Sequence, residues 1–102
     1  MTRQELVRAI SERTGLSRAD ASAAVEAFLS VVQESLMRGE SVTLRGFGAF
    51  ALRFQRARKG RIIHTGEPVA IPPRLRIVFQ PSAHLQERIQ NDRDLLRRFA
   101  EK

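Results

Sequence analysis

From Asp20 to Arg38 the chain is Ala-rich and helix-favouring, and its apolar residues do not keep to one side. Val25, Phe28, Leu29, Val32 and Leu36 form one stripe at helical spacing, while Ala21, Ala24, Ala27 and Val31 widen it past a single face. A surface helix buries one apolar stripe of about 100°. A helix this broad has to be covered from two directions. The whole chain is only 102 residues long, a size at which a monomeric core is marginal. Burial at the centre of a dimer is the natural solution, and the central position in a compact monomer is the alternative.

The rest of the helical part is punctuated clearly. Thr2 followed by Glu5 fits a capping box, Leu6, Val7 and Ile10 recur at helical spacing, and Gly15 is placed to end the run. Ser17 with Asp20 repeats the capping pattern, and Gly39 ends the second helix after Arg38. Farther along, Ser82 after Pro81 marks another helix start, with Leu85, Ile89, Leu96 and Phe99 spaced for one face. Asn91-Asp92 can break that helix, Asp92 then capping a separate final one.

Between these helices the pattern changes to strands. Ser41 to Leu44 reads as a strand, Arg45-Gly-Phe-Gly as a tight turn, and Ala49 to Arg56 as a second strand. Ala57 to Glu67 is polar, basic and Gly-containing, with an isolated Ile62-Ile63 pair. Val69 to Ile71 resumes strand character, Pro72-Pro73 interrupts it, and Leu75 to Phe79 alternates again. Two strand-like arms around a basic tip describe a long hairpin with few core residues, so it should project from the body. Prolines at 68, 72 and 73 suit an unpaired edge, because proline cannot donate to a ladder. The alternative is a disordered basic loop, and without a bound partner the tip itself is expected to be disordered.

Charge is concentrated in the same place. The formal net charge is +7, and Arg53 to Arg76 accounts for nearly all of it, with seven basic side chains against Glu67. Residues 1–52 are balanced and residues 77–102 net +1. An excess gathered on one segment implies a polyanionic partner, nucleic acid foremost, and says where it is met. Other classes are poorly served. The chain has no cysteine, and His64 and His84 stand in no metal-ligand pattern, so neither a metal nor another cofactor is expected. Paired acids, a nucleophile–base set and a phosphate-binding Gly-Lys-Ser/Thr motif are all missing, which argues against an enzyme and a small-molecule substrate. The N-terminus carries no apolar signal region and no run of 18 apolar residues occurs, so a soluble cytoplasmic protein with no membrane partner is expected.

Gly46-Phe-Gly-Ala-Phe50, together with Gly60-Arg61 and Thr65-Gly66 at the arm tip, closely resembles the bacterial HU and integration host factor family of DNA-binding proteins. The resemblance runs over roughly residues 1–90. It implies an α+β fold: two N-terminal helices, an antiparallel sheet with a long projecting β-hairpin arm, and a C-terminal helix, in an intertwined dimer. On this reading 1–102 is one domain, with 1–38 the helical dimerisation part, 40–80 the sheet and arm, and 82–102 the C-terminal helix with an extended tail. The partners implied are double-stranded DNA and a second subunit, a homodimer or a heterodimer, in the nucleoid. The implied DNA-binding residues are Arg53, Arg56, Arg58, Lys59, Arg61, Ile62, Ile63, His64, Arg74 and Arg76.

The chain departs from the family in three places. Most relatives carry Asn-Pro in the arm tip, the proline wedging between base steps, and Ile62 and Ile63 stand there instead. An apolar wedge is the chemical requirement, so Ile63 is expected to take that role with Ile62 as second candidate; the other reading has the pair packing the two arms together. The usual lysines around Phe79 to His84 are missing, which leaves backbone N–H groups near Ser82 to meet phosphates. The tail from Asn91 to Lys102 extends past the usual end, with alternating charge and with Leu95, Leu96 and Phe99 available to pack on the dimer or on a partner.

In the mechanism this implies, Arg58, Lys59 and Arg61 enter the minor groove, where arginine favours narrow A·T-rich segments. Arg53, Arg56, Arg74 and Arg76 hold phosphates along the arm and release counterions. The minor groove offers a degenerate pattern, so low sequence specificity is expected. Two other functions remain open from sequence: a sequence-selective DNA bender like integration host factor, and a protein-assembly module that uses the tail.

Overall fold

The computed structural model describes residues 1–101 and resolves two compact units, a helical one spanning Met1–Arg38 and a second beginning at Gly39. In the first, α1 (Arg3–Thr14) packs against α2 (Arg18–Met37). Both starts are capped as the sequence indicates. Thr2 Oγ1 accepts from the Glu5 amide at 3.2 Å and Ser17 Oγ from the Asp20 amide at 3.1 Å, each satisfying one of the free donors of a first turn. Gly15 closes α1 at φ 80°, its amide donating to the Ser11 carbonyl, a left-handed conformation that costs glycine little.

Along α2 only one edge is covered within the protomer. Ala21, Val25 and Leu36 are its buried apolar residues, while Phe28, Leu29, Val31 and Met37 are exposed. The breadth of apolar surface seen in the sequence is therefore real, and one protomer does not bury it.

The second unit holds a three-stranded antiparallel sheet in the order β1 (Val42–Leu44), β2 (Gly48–Gln55), β5 (Arg74–Pro81). Interposed in the chain between β2 and β5 is a separate two-stranded sheet, β3 (Arg58–Arg61) with β4 (Pro68–Ile71). α3 (Ala83–Gln90) and α4 (Arg93–Ala100) follow, capped by Ser82 and Asp92. The α+β class, the antiparallel sheet and the break at Asn91-Asp92 agree with the sequence reading. The arm differs in one respect: the basic segment read as a disordered tip already forms β3 from Arg58 to Arg61. Its ladder to β4 supplies backbone bonds that a polar sequence does not advertise, and Val69 and Ile71 lie over Gly60.

The β1–β2 turn is tied to the third helix. Phe47 donates its amide to the Leu44 carbonyl at 2.9 Å, with Gly46 at φ 79° in the turn position that requires positive φ. Ser82 then donates its amide to the Phe47 carbonyl (2.9 Å) and its hydroxyl to the Gly46 carbonyl (3.1 Å), while Ser82 Oγ accepts from the Leu85 amide. One residue thus caps α3 and pins it to the turn. The Phe79 ring lies 5.1 Å from both Phe47 and Phe50, tilted at 47° to each. Gly48 sits beneath it: a Cβ there would lie 2.5 Å from the Gln80 carbonyl oxygen and 2.7 Å from Phe79 Cζ. Gly48→Ala is therefore expected to destabilise the protein by about 1–3 kcal/mol through overpacking against backbone that cannot retreat, read as a lowered midpoint in thermal or urea unfolding.

Candidate nucleic-acid interface

The register of β2 on β5 sorts the sheet by chemistry. Directly opposed residues share a face, so Phe50 with Phe79, Leu52 with Ile77 and Phe54 with Leu75 make an apolar ladder on one side. Ala51 with Val78, Arg53 with Arg76 and Gln55 with Arg74 fall on the other. Arg53 and Arg76 are thus like charges placed across from each other, an arrangement that costs stability unless an anion offsets it. Both are exposed, and among the described residues neither has an acidic partner within ion-pair distance.

Beyond Gln55 and Arg74 the ladder stops. Arg56 and Ala57 face Pro72 and Pro73 across a gap between the two sheets, where the prolines have no amide hydrogen to donate. Pairing resumes at Arg58 with Ile71 and runs to Arg61 with Pro68. Here Lys59 and Arg61 share one face with Ala70 and Pro68, while Arg58 lies on the face of Val69 and Ile71. Pro68 is in register with Arg61 on β4, an edge strand of the two-stranded sheet, next to the Ile62–Glu67 backbone bond, so the ladder asks no amide of it.

The tip is a closed turn. Ile62 donates its amide to the Glu67 carbonyl (2.9 Å), Gly66 at φ 72° donates to the Ile62 carbonyl (2.7 Å), and the Glu67 amide donates to Thr65 Oγ1 (3.3 Å). This turn separates the two isoleucines. Ile62, whose backbone closes it, is 42% exposed, whereas Ile63 at the apex is 94% exposed. His64 stands beside Ile63 and is exposed as well. All seven basic side chains of the arm are exposed, so the hairpin presents an unneutralised positive surface that ends in one bare apolar side chain.

Other expected contributions are weaker than the sequence suggests. The Ser82 amide, one of the N–H groups available at the start of α3, is already used by the Phe47 carbonyl. A cluster that sequence reading did not assemble lies on the helical unit, where Arg3, Arg8 and Arg18 line one groove of α1 and α2. Arg8 is engaged by Glu12 at 3.3 Å. Their spacing over two helices hides the cluster in the sequence. No group of three or more His, Cys, Asp or Glu able to hold a metal occurs among the described residues, and no helix there is long and apolar enough to cross a membrane.

The family described as bacterial DNA-binding protein matches residues 1–90. Integration host factor subunit alpha of Caulobacter sp. (strain K31) is 46% identical over 89 residues, which is 87% of this chain and 89% of that protein. The subunit of the same name from Actinobacillus pleuropneumoniae serotype 5b is 41% identical over 91 residues, 89% of this chain and 93% of its own. Among solved structures, Anabaena HU in a cocrystal with DNA superposes with a TM-score of 0.78 at 33% identity, covering 89% of this chain and 99% of that one. Thermotoga maritima HU, at 22% identity and a TM-score of 0.59, shares the fold over 87% of this chain and 98% of its own.

The opposed arginines make a paired expectation. Arg53→Gln should stabilise the free protein at low salt by a few tenths of a kcal/mol, by relieving the cross-strand repulsion. The same change should weaken binding to a DNA duplex and flatten the slope of log affinity against log salt by about one for each Arg53 that meets a phosphate, about two where a pair of arms engages. Thermal melts and salt-series binding titrations read the two effects separately.

Proposed function

The chain belongs to the bacterial DNA-binding protein family of HU and integration host factor, and on that premise we propose that it binds duplex DNA as a dimer, lays its arms in the minor groove and bends the helix with little regard to sequence. The family is a DNA-binding one rather than an enzyme family. The observation that carries the reading is the arm: a two-faced ribbon whose arginines stand apart from its apolar ladder and whose apex offers Ile63.

In this mechanism Arg53, Arg74 and Arg76, on the sheet, and Arg56, in the gap, take phosphates. Their side chains displace condensed counterions, so affinity falls steeply with salt. Lys59 and Arg61, on one face of the outer hairpin, and Arg58, on the other, flank the groove. Ile63 enters between base steps, and Ile62 supports it from the closed turn. His64 lies against the adjoining sugar–phosphate. Unstacking costs a few kcal/mol per step and is offset by the surface that bent DNA brings onto the protein. Isoleucine retains side-chain rotamers that a proline ring lacks, so the kink is expected to be shallower than a proline wedge makes. The protomer's uncovered apolar faces supply the reason for the dimer. A bacterial protein with this activity and low specificity would sit on the nucleoid in the cytoplasm, and residues 1–102 would act as one DNA-binding domain.

A second reading is favoured by the relatives named integration host factor subunit alpha: a sequence-selective bender, paired with a different subunit. Competition between a random and a specific duplex separates the two.

End-to-end fluorescence transfer on a labelled linear duplex tests the bending step. The wild type is expected to bring the ends together. Ile63→Ala should still bind but lose most of the shortening, whereas Ile62→Ala should retain most of it. If wild type and Ile63→Ala bind and neither shortens the duplex, the arms coat the backbone and the wedge mechanism is wrong.

A further inference from the structure

The final helix is strongly specified by its own residues yet too short to hold itself. Asp92 accepts from the Leu95 amide at 3.0 Å, Asp94 lies in the first turn, and Arg97 and Arg98 lie in the last, each favourable to the helix dipole. At eight residues it remains well below the length at which isolated helices persist in water. Its stability has to come from burying an apolar face, and its neighbour in the protomer, α3, covers little of it. Leu95 is half-buried, but Leu96 is 56% exposed, Phe99 is exposed on the same side, and Ile89 on α3 is exposed too.

A second uncovered apolar patch lies elsewhere in the same unit. Phe54, Leu75 and Ile77 form the outer end of the β2–β5 apolar ladder and are 62–67% exposed with α4 already in place. This patch is continuous along the sheet with Phe50 and Phe79, so it prolongs whatever surface the dimer buries. In an isologous dimer a surface that meets its partner's second surface is met in return, and both exposed patches are then covered at once. The arginine face of the sheet is closed to α4, which carries Arg93, Arg97 and Arg98, whereas the apolar patch bears no charge.

We propose that α4 of one protomer docks on the Phe54–Leu75–Ile77 patch at the arm root of the second copy, with Leu96 as its central contact. The docking helix lies outside the matched family segment, which ends at residue 90, while the patch that receives it lies within. The clasp adds to the dimer, ties the final helix to the base of the DNA-binding arm, and rests on the dimer reading above.

The chain has no cysteine of its own, so single thiols report cleanly. L75C and L96C are prepared separately, mixed, exchanged and oxidised mildly. A disulfide between the two different variants can only join two protomers, and it needs Cα atoms within about 7 Å. The proposal expects that mixed species well above the 75–75 and 96–96 products, and about hundredfold weaker dimerisation for Leu96→Ala by sedimentation, the size expected for losing two leucine contacts, one in each symmetry-related clasp, at about tenfold apiece. A mixed species no more abundant than the same-residue products, with Leu96→Ala dimerising like the wild type, overturns the clasp while leaving a wild-type dimer intact. A wild type that sediments as a monomer removes the dimer reading itself, and the clasp with it.

Discussion

The pairing of β2 with β5 is the constraint from which the other features follow. Side chains alternate across a strand with a period of two, so a slip of one residue would move every one of them to the other face. In the observed register, Phe50, Leu52 and Phe54 meet Phe79, Ile77 and Leu75, and the arginines fall together behind them. The Phe79 ring over Gly48 and the Ser82 bonds to the Phe47 turn hold the inner end of that register. A side chain at position 48 or a looser turn would free the strands to slide, and charge would then mix with the apolar ladder.

A ladder sorted in this way needs something to lie against. The protomer buries Ala21, Val25 and Leu36 but leaves Phe28, Val31, Phe54, Leu75 and Ile77 open. For a chain of this length the apolar surface left in water is a larger driving force than any hydrogen bond in the structure. Assembly is therefore part of folding here, and the stability of the protomer is tied to protein concentration.

The arm follows a different logic. It gains little from burial, is interrupted where Pro72 and Pro73 withhold their amides, and sets Arg53 across from Arg76. Each of these weakens the free hairpin, and an anion held between the two arginines would relieve the last. The arm thus carries a deficit that a polyanion is suited to offset. Ile63 fits the same logic: it stands bare at the apex and gains nothing from burial in the free protein.

Much of this was legible in the residues. The caps at Thr2, Ser17, Ser82 and Asp92 could be read directly, because a capping side chain bonds to a neighbour two or three positions on. The width of the α2 apolar surface already implied a partner, and the concentration of arginine in one segment implied a polyanion. What local pattern could not supply depended on residues brought together across the chain. The β3 strand was hidden in a sequence that reads as loop, since its stability comes from backbone bonds to β4. Ile62 and Ile63 are chemically identical, and only the turn closed by Glu67 and Gly66 makes one less exposed and the other bare. The face to which each arginine belongs depends likewise on register, which is a property of two strands and not of either alone. The sequence by itself determined the elements, the need for a second subunit and the sign of the ligand's charge, because these depend on composition and short-range spacing. The tertiary structure decided which isoleucine stands at the apex and which arginines oppose each other, because those are set by contacts between residues far apart in the chain.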